Sequence, residues 1–309
     1  MTGALVTIFN ATARVARKVN RSRRFNRARA SRPLKKQVKG YWFEGVDALC
    51  SFMAKHDGWE KLQRHIQLRL AAGQLAKSMS DADRKFLLDL LSGFDYFSDA
   101  SVSVKADAII RATSFATFEE GAKFALGQLG IVAPEFELKN EKIREALLAR
   151  SEAAVYATRS YMDDVFQTIT HHFYELGQHP YSGESIDELR DILGYKADWQ
   201  AQRFALTETG IAAELAQIET YRRNGVQAKQ WNIQNVNTRP DHVEIAGAVV
   251  GAHQMFALDP DGMNGGPFAA DHPLDPRLPA HELVNCHCWL SPVVDDDFEI
   301  DPGHVWEGQ

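Results

Sequence analysis

Between residues 41 and about 200 apolar side chains return at steps of three and four, and past residue 225 that period is lost. This change of texture limits the chain to a mainly helical α+β fold. Val46, Leu49, Cys50 and Met53 mark one face of a helix. Ser80 followed by Asp83 has the form of a capping box that opens the run Phe86, Leu87, Leu90 and Leu91, which Gly93 stops. Thr117 with Glu120 opens another short helix, and Gly130 with Pro134 marks a break. The longest predicted helix covers about 140–176, with Ile143, Leu147, Ala154, Tyr161, Val165 and Ile169 as a stripe wide enough for a bundle. Ser185 with Glu188 caps a short helix ended by Gly194, and another helix is expected over about 198–223. Beyond it, 226–233 and 243–250 read as short strands, the second interrupted by Gly247. Residues 259–280, rich in Gly, Pro and Asp, read as an exposed loop bounded by turns. The expected class is therefore α+β, mainly helical: a helical N-terminal region followed by a small α+β C-terminal domain.

Charge divides the chain in a second way. Residues 1–40 hold twelve of the 35 Lys and Arg: Arg14, Arg17, Lys18, Arg21, Arg23, Arg24, Arg27, Arg29, Arg32, Lys35, Lys36 and Lys39. No Asp or Glu falls among them, so all 41 acidic residues oppose the remaining 23 cations in the rest of the chain, although the net charge is only −6. Such a split marks a basic arm on an acidic body. The arm is expected to order only against a polyanionic partner, either DNA or an acidic protein surface. Acids gather again at Asp295, Asp296, Asp297, Glu299 and Asp301. The chain then reads as a basic arm (1–40), a helical region (41–135), a helical stalk or bundle (136–200), an α+β domain (201–292) and an acidic tail (293–309). No apolar run approaches the roughly 18–20 residues of a membrane span. The apolar opening is short and precedes its positive charges, so a signal peptide is not expected. Cys50, Cys286 and Cys288 are too few for a disulfide framework, and a reducing compartment, at least during folding, fits best.

The α+β domain carries an ordered constellation. Arg203 is followed by Thr207-Glu208-Thr209 on a helix, then Trp231, Asn237-Thr238-Arg239, His242, Gly247, Phe256 and finally Asn285-Cys286-His287-Cys288. No single element is specific, but the succession resembles the phage Mu F-like minor head protein (head morphogenesis) family. There a helix with a Thr-Glu-Thr-like element precedes a Trp, an Arg with a following His, a Gly in a hairpin and a closing Asn-Cys-Arg-Cys. The resemblance covers roughly 139–292 and attaches no motif to 1–135. It departs from the family at His287, where an Arg is usual, and at Asn235 or Asn237, where an acid often precedes the Arg. The resemblance implies a structural minor capsid protein of a tailed phage or prophage. Such a protein is portal-associated inside the head, present in host cytoplasm during assembly and then in the virion, and able to pass with DNA at ejection. The implied partners are the portal protein, DNA through the arm, and scaffold or major capsid protein, with no membrane segment.

The same residues have plain structural readings. Trp231 and Phe256 suit a small domain's core, Gly247 a tight hairpin or bulge, and Glu208 with Arg239 an internal charge pair fixing the helix on the sheet. His242 reads as a satisfied structural histidine. Cys286 and Cys288, with His242, His253, His281 or His287 in reach, offer zinc ligands. The Cys-x-Cys spacing without a second pair favours instead two small buried residues, and no cofactor is expected. Glu208, Arg239 and His242 also permit a metal-free nuclease or toxin-like enzyme carried by the virion. Residue types without placement weigh less than the structural reading, and the chain is not expected to be an enzyme. His171 and His172, adjacent on a helix, point about 100° apart and cannot share a metal.

Overall fold

The capping box at Ser80 forms as its spacing predicts: the Ser80 hydroxyl accepts from the Asp83 N–H and the Asp83 carboxylate accepts from the Ser80 N–H. The structure, a computed structural model, describes residues 24–71, 80–94, 96, 99–131, 141, 145–147, 150–172, 183–234, 237–259, 262–263, 265–294 and 298–307. Its helices are α1 (Arg27–Ala30), α2 (Arg32–Lys55), α3 (Gly58–Ala71), α4 (Asp81–Leu90), α5 (Asp99–Gln128), α6 (Ser151–Thr170) and α7 (Gly183–Arg223). After them come β1 (Ala228–Asn232), α8 (Pro240–Glu244), β2 (Val249–Gly251), β3 (Phe256–Leu258), β4 (Phe268–Ala270), α9 (Ala280–Leu283) and β5 (Trp289–Val293). The fold is thus mainly helical α+β, with all the described strands in the C-terminal region.

Two compact units share this chain: a helical unit of residues 33–111 and 148–205, and an α+β unit of 1–32, 112–147 and 206–309. This division cuts across the linear one, because α5 and α7 each supply residues to both units. In the helical unit Trp42 of α2 stacks on Tyr161 of α6, with ring centroids 4.8 Å apart, and donates to the Thr158 hydroxyl at 3.1 Å. Leu34, Val38, Val46, Leu49 and Met53 of α2 join them with Leu189 and Leu193 of α7. Residues 24–40 are therefore not a free arm. Their apolar positions, Phe25, Leu34 and Val38, are buried in the protein itself.

Several helix limits differ from their sequence expectations. Thr117 lies inside α5, which runs unbroken from Asp99 to Gln128. Of the helix expected over 140–176, the described part is α6, Ser151–Thr170, while Ile143 and 173–176 fall outside the described residues. Gly194 does not stop a helix but lies inside the 41 residues of α7. A Cβ there would sit 2.6 Å from the Phe43 ring, so the glycine serves close packing. A buried row explains why α7 lacks a simple stripe. Leu189, Leu193, Ala197, Ala201 and Ala205, then Thr209, Ala213, Gln217 and Tyr221, are all 0–2% exposed. Steps of four overshoot a helical turn by roughly 40°, so this row winds around the helix instead of holding one face.

In the α+β unit β2, β1 and β5 form an antiparallel sheet in that order, with Ala228 opposite both Gly251 and Val293. β3 and β4 form a separate antiparallel pair. The second strand expected over 243–250 is shorter than predicted, because Pro240 opens α8 and Gly247, at φ +85°, turns the chain before β2. Residues 259–280 are not an exposed loop: they contain β4 and bury Asp259, His272, Leu274, Asp275 and Leu278. Behind the sheets, α5 and α7 approach closely through Gly121, Ala122, Ala212, Ala213 and Ala216.

A Cβ at Gly121 would lie 3.0 Å from both Cα and O of Ala213. Gly121→Val is therefore expected to lower stability by about 2–3 kcal/mol through overpacking. Gly127, on the same helix with nothing within 4 Å, should gain up to about 1 kcal/mol as Ala. Thermal and urea unfolding of the two variants measure both effects, and equal behaviour would contradict the close helix approach.

Candidate functional site

Two short helices aim their side chains at one another across the start of β5. Arg239 precedes Pro240, whose fixed φ suits the first helical position, and α8 then carries Asp241 and His242. Pro279 opens α9, which carries Glu282. Asn285, at φ +62°, turns the chain in the left-handed conformation that Asn tolerates, and Cys286-His287-Cys288 leads into β5. The Arg239 guanidinium donates to the Val284 carbonyl and lies 3.9 Å from Glu282, joining α8 to the turn after α9.

At the centre is His242, 1% exposed. Its Nδ1 lies 3.3 Å from Cys288 Sγ and 3.7 Å from Cys286 Sγ, and its Nε2 lies 2.9 Å from Glu282 Oε2. Trp231 meets the imidazole edge-on at 5.3 Å and Phe256 at 5.2 Å, closing the cluster with apolar surface. Burial opposes a charge on His242, but contacts with Cys286 and Glu282 and the charge of Asp241 outweigh it and hold its pKa up at about 9. The hydrogen bond from Cys288, with His242 and Arg27 nearby, pulls the Cys286 thiol well down, and the same bond with burial pushes Cys288 up. Burial also raises Asp241, whereas Glu282 is held below its usual range, where burial loses to the contact with His242. The ligand atoms of His242, Cys286 and Cys288 all lie within 4.8 Å of one another, as do those of Asp241, His242 and Glu282.

A buried ion pair supports this cluster. Arg27, 3% exposed, pairs with Glu214 of α7 at 2.6 Å and donates to the carbonyls of Cys286 at 3.2 Å and Cys288 at 2.6 Å. The second Glu214 oxygen accepts from the Leu290 N–H at 3.0 Å. Burial pushes the Glu214 carboxyl upward, and the Arg27 charge opposes it. Gly210 makes room: a Cβ there would meet Leu274 at 2.4 Å and Arg27 Nε at 3.3 Å. Residues 259–280 contribute a second ionic group. Asp271 pairs with the buried Lys229 and with Arg222 at 2.6 Å. Burial lowers Lys229 to about 8 against the pull of Asp271. Asp275 accepts from the N–H groups of Asp271 (2.8 Å) and Arg277 (3.0 Å) and from the Arg277 guanidinium.

Trp231, Arg239, His242, Cys286 and Cys288 therefore come together, while Asn285 and Gly247 set backbone turns. Thr207, Glu208 and Thr209 are buried on α7, but the carboxylate that α7 delivers to the cysteine segment is Glu214. A lone acid in the apolar run Gly210-Ile211-Ala212-Ala213-Glu214-Leu215-Ala216 was the available signal for it. Glu282 and Asp241 carried no such signal. His253 is exposed and His287 half-buried, outside the cluster, and the exposed His281 meets it only at Glu282, at 3.3 Å. Among the arm cations, Arg14, Arg17, Lys18, Arg21 and Arg23 lie outside the described residues. Arg27 is withdrawn from the surface by Glu214, Lys35 and Lys39 pair with Asp198, and Arg24 lies over the Trp289 ring and donates to Gln234. Arg29, Arg32 and Lys36 are exposed.

The chain is 34% identical over 122 residues to the uncharacterized protein YqbB of Bacillus subtilis (strain 168), covering 37% of this chain and 38% of that protein. It is 30% identical over 105 residues to the cyclic 2,3-diphosphoglycerate synthetase of Thermococcus sibiricus (strain DSM 12597 / MM 739), covering 34% of this chain and 23% of that enzyme. The chain thus spans well under half the length of either relative. No family model matches it, and no solved structure gives a significant match.

Two outcomes follow from the buried charges. Arg27→Met leaves Glu214 buried without its counter-charge and should lose about 3–5 kcal/mol, much of it restored in Arg27→Met/Glu214→Leu. A urea double-mutant cycle tests this, and additive losses would refute the coupling. Burial disfavours the Asp275 carboxylate, but Arg277, the His272 charge and two backbone N–H groups hold its pKa down at about 2. A depressed folded pKa contributes stability that is fully present above about pH 4 and is lost as pH falls toward 2. Asp275→Asn should therefore be less stable by about 2 kcal/mol at neutral pH and show a shallower decline between pH 4 and 2. Parallel slopes for variant and parent would count against it.

Proposed function

We propose that this protein is a structural minor capsid protein of a tailed phage or prophage, associated with the portal inside the head, and not an enzyme. The observation that carries this reading is the burial of the constellation that resembles the Mu F-like domain. Of its residues, Thr207, Glu208, Thr209, Trp231, His242, Phe256, Cys286 and Cys288 are buried, and Trp231, Phe256, Cys286 and Cys288 share one apolar core. Arg239 is half-buried, and Gly247 and Asn285 are exposed at turns. A nuclease using Glu208, Arg239 and His242 needs those groups at a surface that admits a phosphodiester. A His242 buried edge-on against Trp231 and a buried Glu208 suit a scaffold instead. Among the described residues no helix is long and apolar enough to cross a membrane. The protein would assemble in the host cytoplasm, with scaffold or major capsid protein as further contacts, and remain in the virion. Co-expression with the neighbouring portal protein should yield a co-purifying complex, and prolonged incubation with DNA and RNA plus divalent metal should leave both intact. Specific cleavage lost in His242→Ala would overturn the reading.

DNA contact belongs to the same proposal and rests on the basic N-terminal residues. Among the described residues Arg29, Arg32 and Lys36 are exposed, and the sequence adds five further cations in residues 14–23. If about half of them meet phosphates, log affinity should fall against log salt with a slope of roughly −4. Replacing Arg14, Arg17, Lys18, Arg21 and Arg23 by Gln in the full chain should flatten that slope, whereas Lys35→Gln should not. An unchanged slope would redirect the charges to an acidic portal surface, which the same variant tests by pull-down.

A further inference from the structure

We propose that His242, Cys286 and Cys288 bind one zinc ion within the α+β unit. Tetrahedral zinc about 2.3 Å from a thiolate and about 2.0 Å from an imidazole nitrogen places each sulfur roughly 3.5 Å from that nitrogen. The two observed separations, 3.3 and 3.7 Å, flank this value on the same nitrogen, Nδ1. All three ligand atoms lie within 4.8 Å of one another, and a tetrahedral ion would draw the two sulfurs to roughly 3.8 Å. The close Cys-x-Cys spacing is no obstacle, because residues two apart in extended chain face the same way.

The surroundings are those a zinc-bound histidine uses. Its other nitrogen, Nε2, lies 2.9 Å from the Glu282 carboxylate, the partner that fixes ring orientation and raises ligand basicity. Arg27 holds the carbonyls of both cysteines and so fixes the segment that presents them. Thiolate and imidazole together select zinc over magnesium or calcium, which take oxygen ligands. Two thiolates neutralise the ion, so the buried centre carries no net charge with a neutral imidazole. Three protein ligands leave the fourth tetrahedral position to water. The rival arrangement is a nucleophilic Cys286 activated by His242 and Glu282. It uses Cys288 only as a donor to the Cys286 sulfur and places the nucleophile at 7% exposure, away from substrate.

The test uses the full chain purified without chelator and does not depend on the capsid reading, since portal binding and metal content are separate readouts. Elemental analysis should find about one zinc per chain. Mercurial titration of the folded protein should release that zinc as the two thiolates react. Cobalt exchanged into the site should show sulfur-to-cobalt charge transfer and tetrahedral visible bands. Cys50→Ser, which alters the helical unit, should keep the metal and the bands, and Cys288→Ser should lose most of the charge-transfer intensity. Removing zinc should lower the melting temperature by roughly 5 °C or more. Because a cysteine variant that fails to fold is uninformative alone, the wild-type measurements decide. Wild-type protein without zinc and without cobalt bands would overturn the site. So would a Cys286–Cys288 disulfide, or fast alkylation of Cys286 in folded, metal-free protein.

Discussion

The Arg27–Glu214 pair is the interaction on which the α+β unit depends. Taking two such charges out of water costs several kcal/mol each unless both find close partners. Here Glu214 meets Arg27 and the Leu290 N–H, and Arg27 meets Glu214 and the carbonyls of Cys286 and Cys288. No two of the segments are neighbours in sequence. Arg27 is 187 residues from Glu214 and 261 from Cys288. One ionic contact thus selects which N-terminal residues, which turn of α7 and which register of β5 belong together. It also decides where the two cysteine side chains emerge, and so links the fold to the His242 cluster.

That dependence explains why the domain order was hard to read linearly. A basic stretch without acids has the composition of an unpaired arm, but its counter-charges lie far along the chain at Glu214 and Asp198. Composition counts cations and cannot see a partner that folding brings back from a distance. The helices that cross from one unit to the other obscure the boundary as well. On α7 the buried row changes from Leu189 and Leu193 to Ala197, Ala201 and Ala205 and then to Thr209, Ala213, Gln217 and Tyr221. Its members are large, then small, then polar, so a search for an apolar stripe finds only pieces. Gly194 looks like a stop for the same reason: sequence shows the missing side chain, not the Phe43 ring that fills its place.

Much of the site was nonetheless visible. Cys286 and Cys288 stood out as possible zinc ligands with any of four histidines, although their spacing favoured two small buried residues. Trp231 and Phe256 were the natural core, and Ser80 with Asp83 forms the capping box that its spacing implies. What sequence withheld was choice among equals. His242, His253, His281 and His287 are alike as residue types, and only α8 and the turn at Asn285 bring the first of them to the sulfurs. Glu282 and Asp241 were invisible because acids in short, turn-rich segments are ordinarily solvated. Glu208 drew attention through its motif, yet Glu214, six residues on, reaches Arg27 and β5.

The strands of the α+β unit are three to five residues long, and sheets so short gain little from their ladders alone. Side-chain networks supply what the ladders lack. Asp271 gathers Lys229 of β1 and Arg222 of α7, Asp275 holds the segment from Asp271 to Arg277, and Arg27 with Glu214 fixes the start of β5. This is why residues 259–280, whose Gly, Pro and Asp content resembles a solvated loop, are packed inward: Asp271 is the ionic partner of the buried Lys229, and Asp275 and Asp259 accept from backbone N–H groups of the segment itself. The His242 cluster lies in the same architecture, on two helices of four and five residues that have little hold on their own geometry. Apolar packing from Trp231 closes it on one side and Glu282 orients the imidazole on another. A bond that drew His242, Cys286 and Cys288 to one point would tie both short helices to β5. In a unit built from such small pieces, that tie would act as a staple.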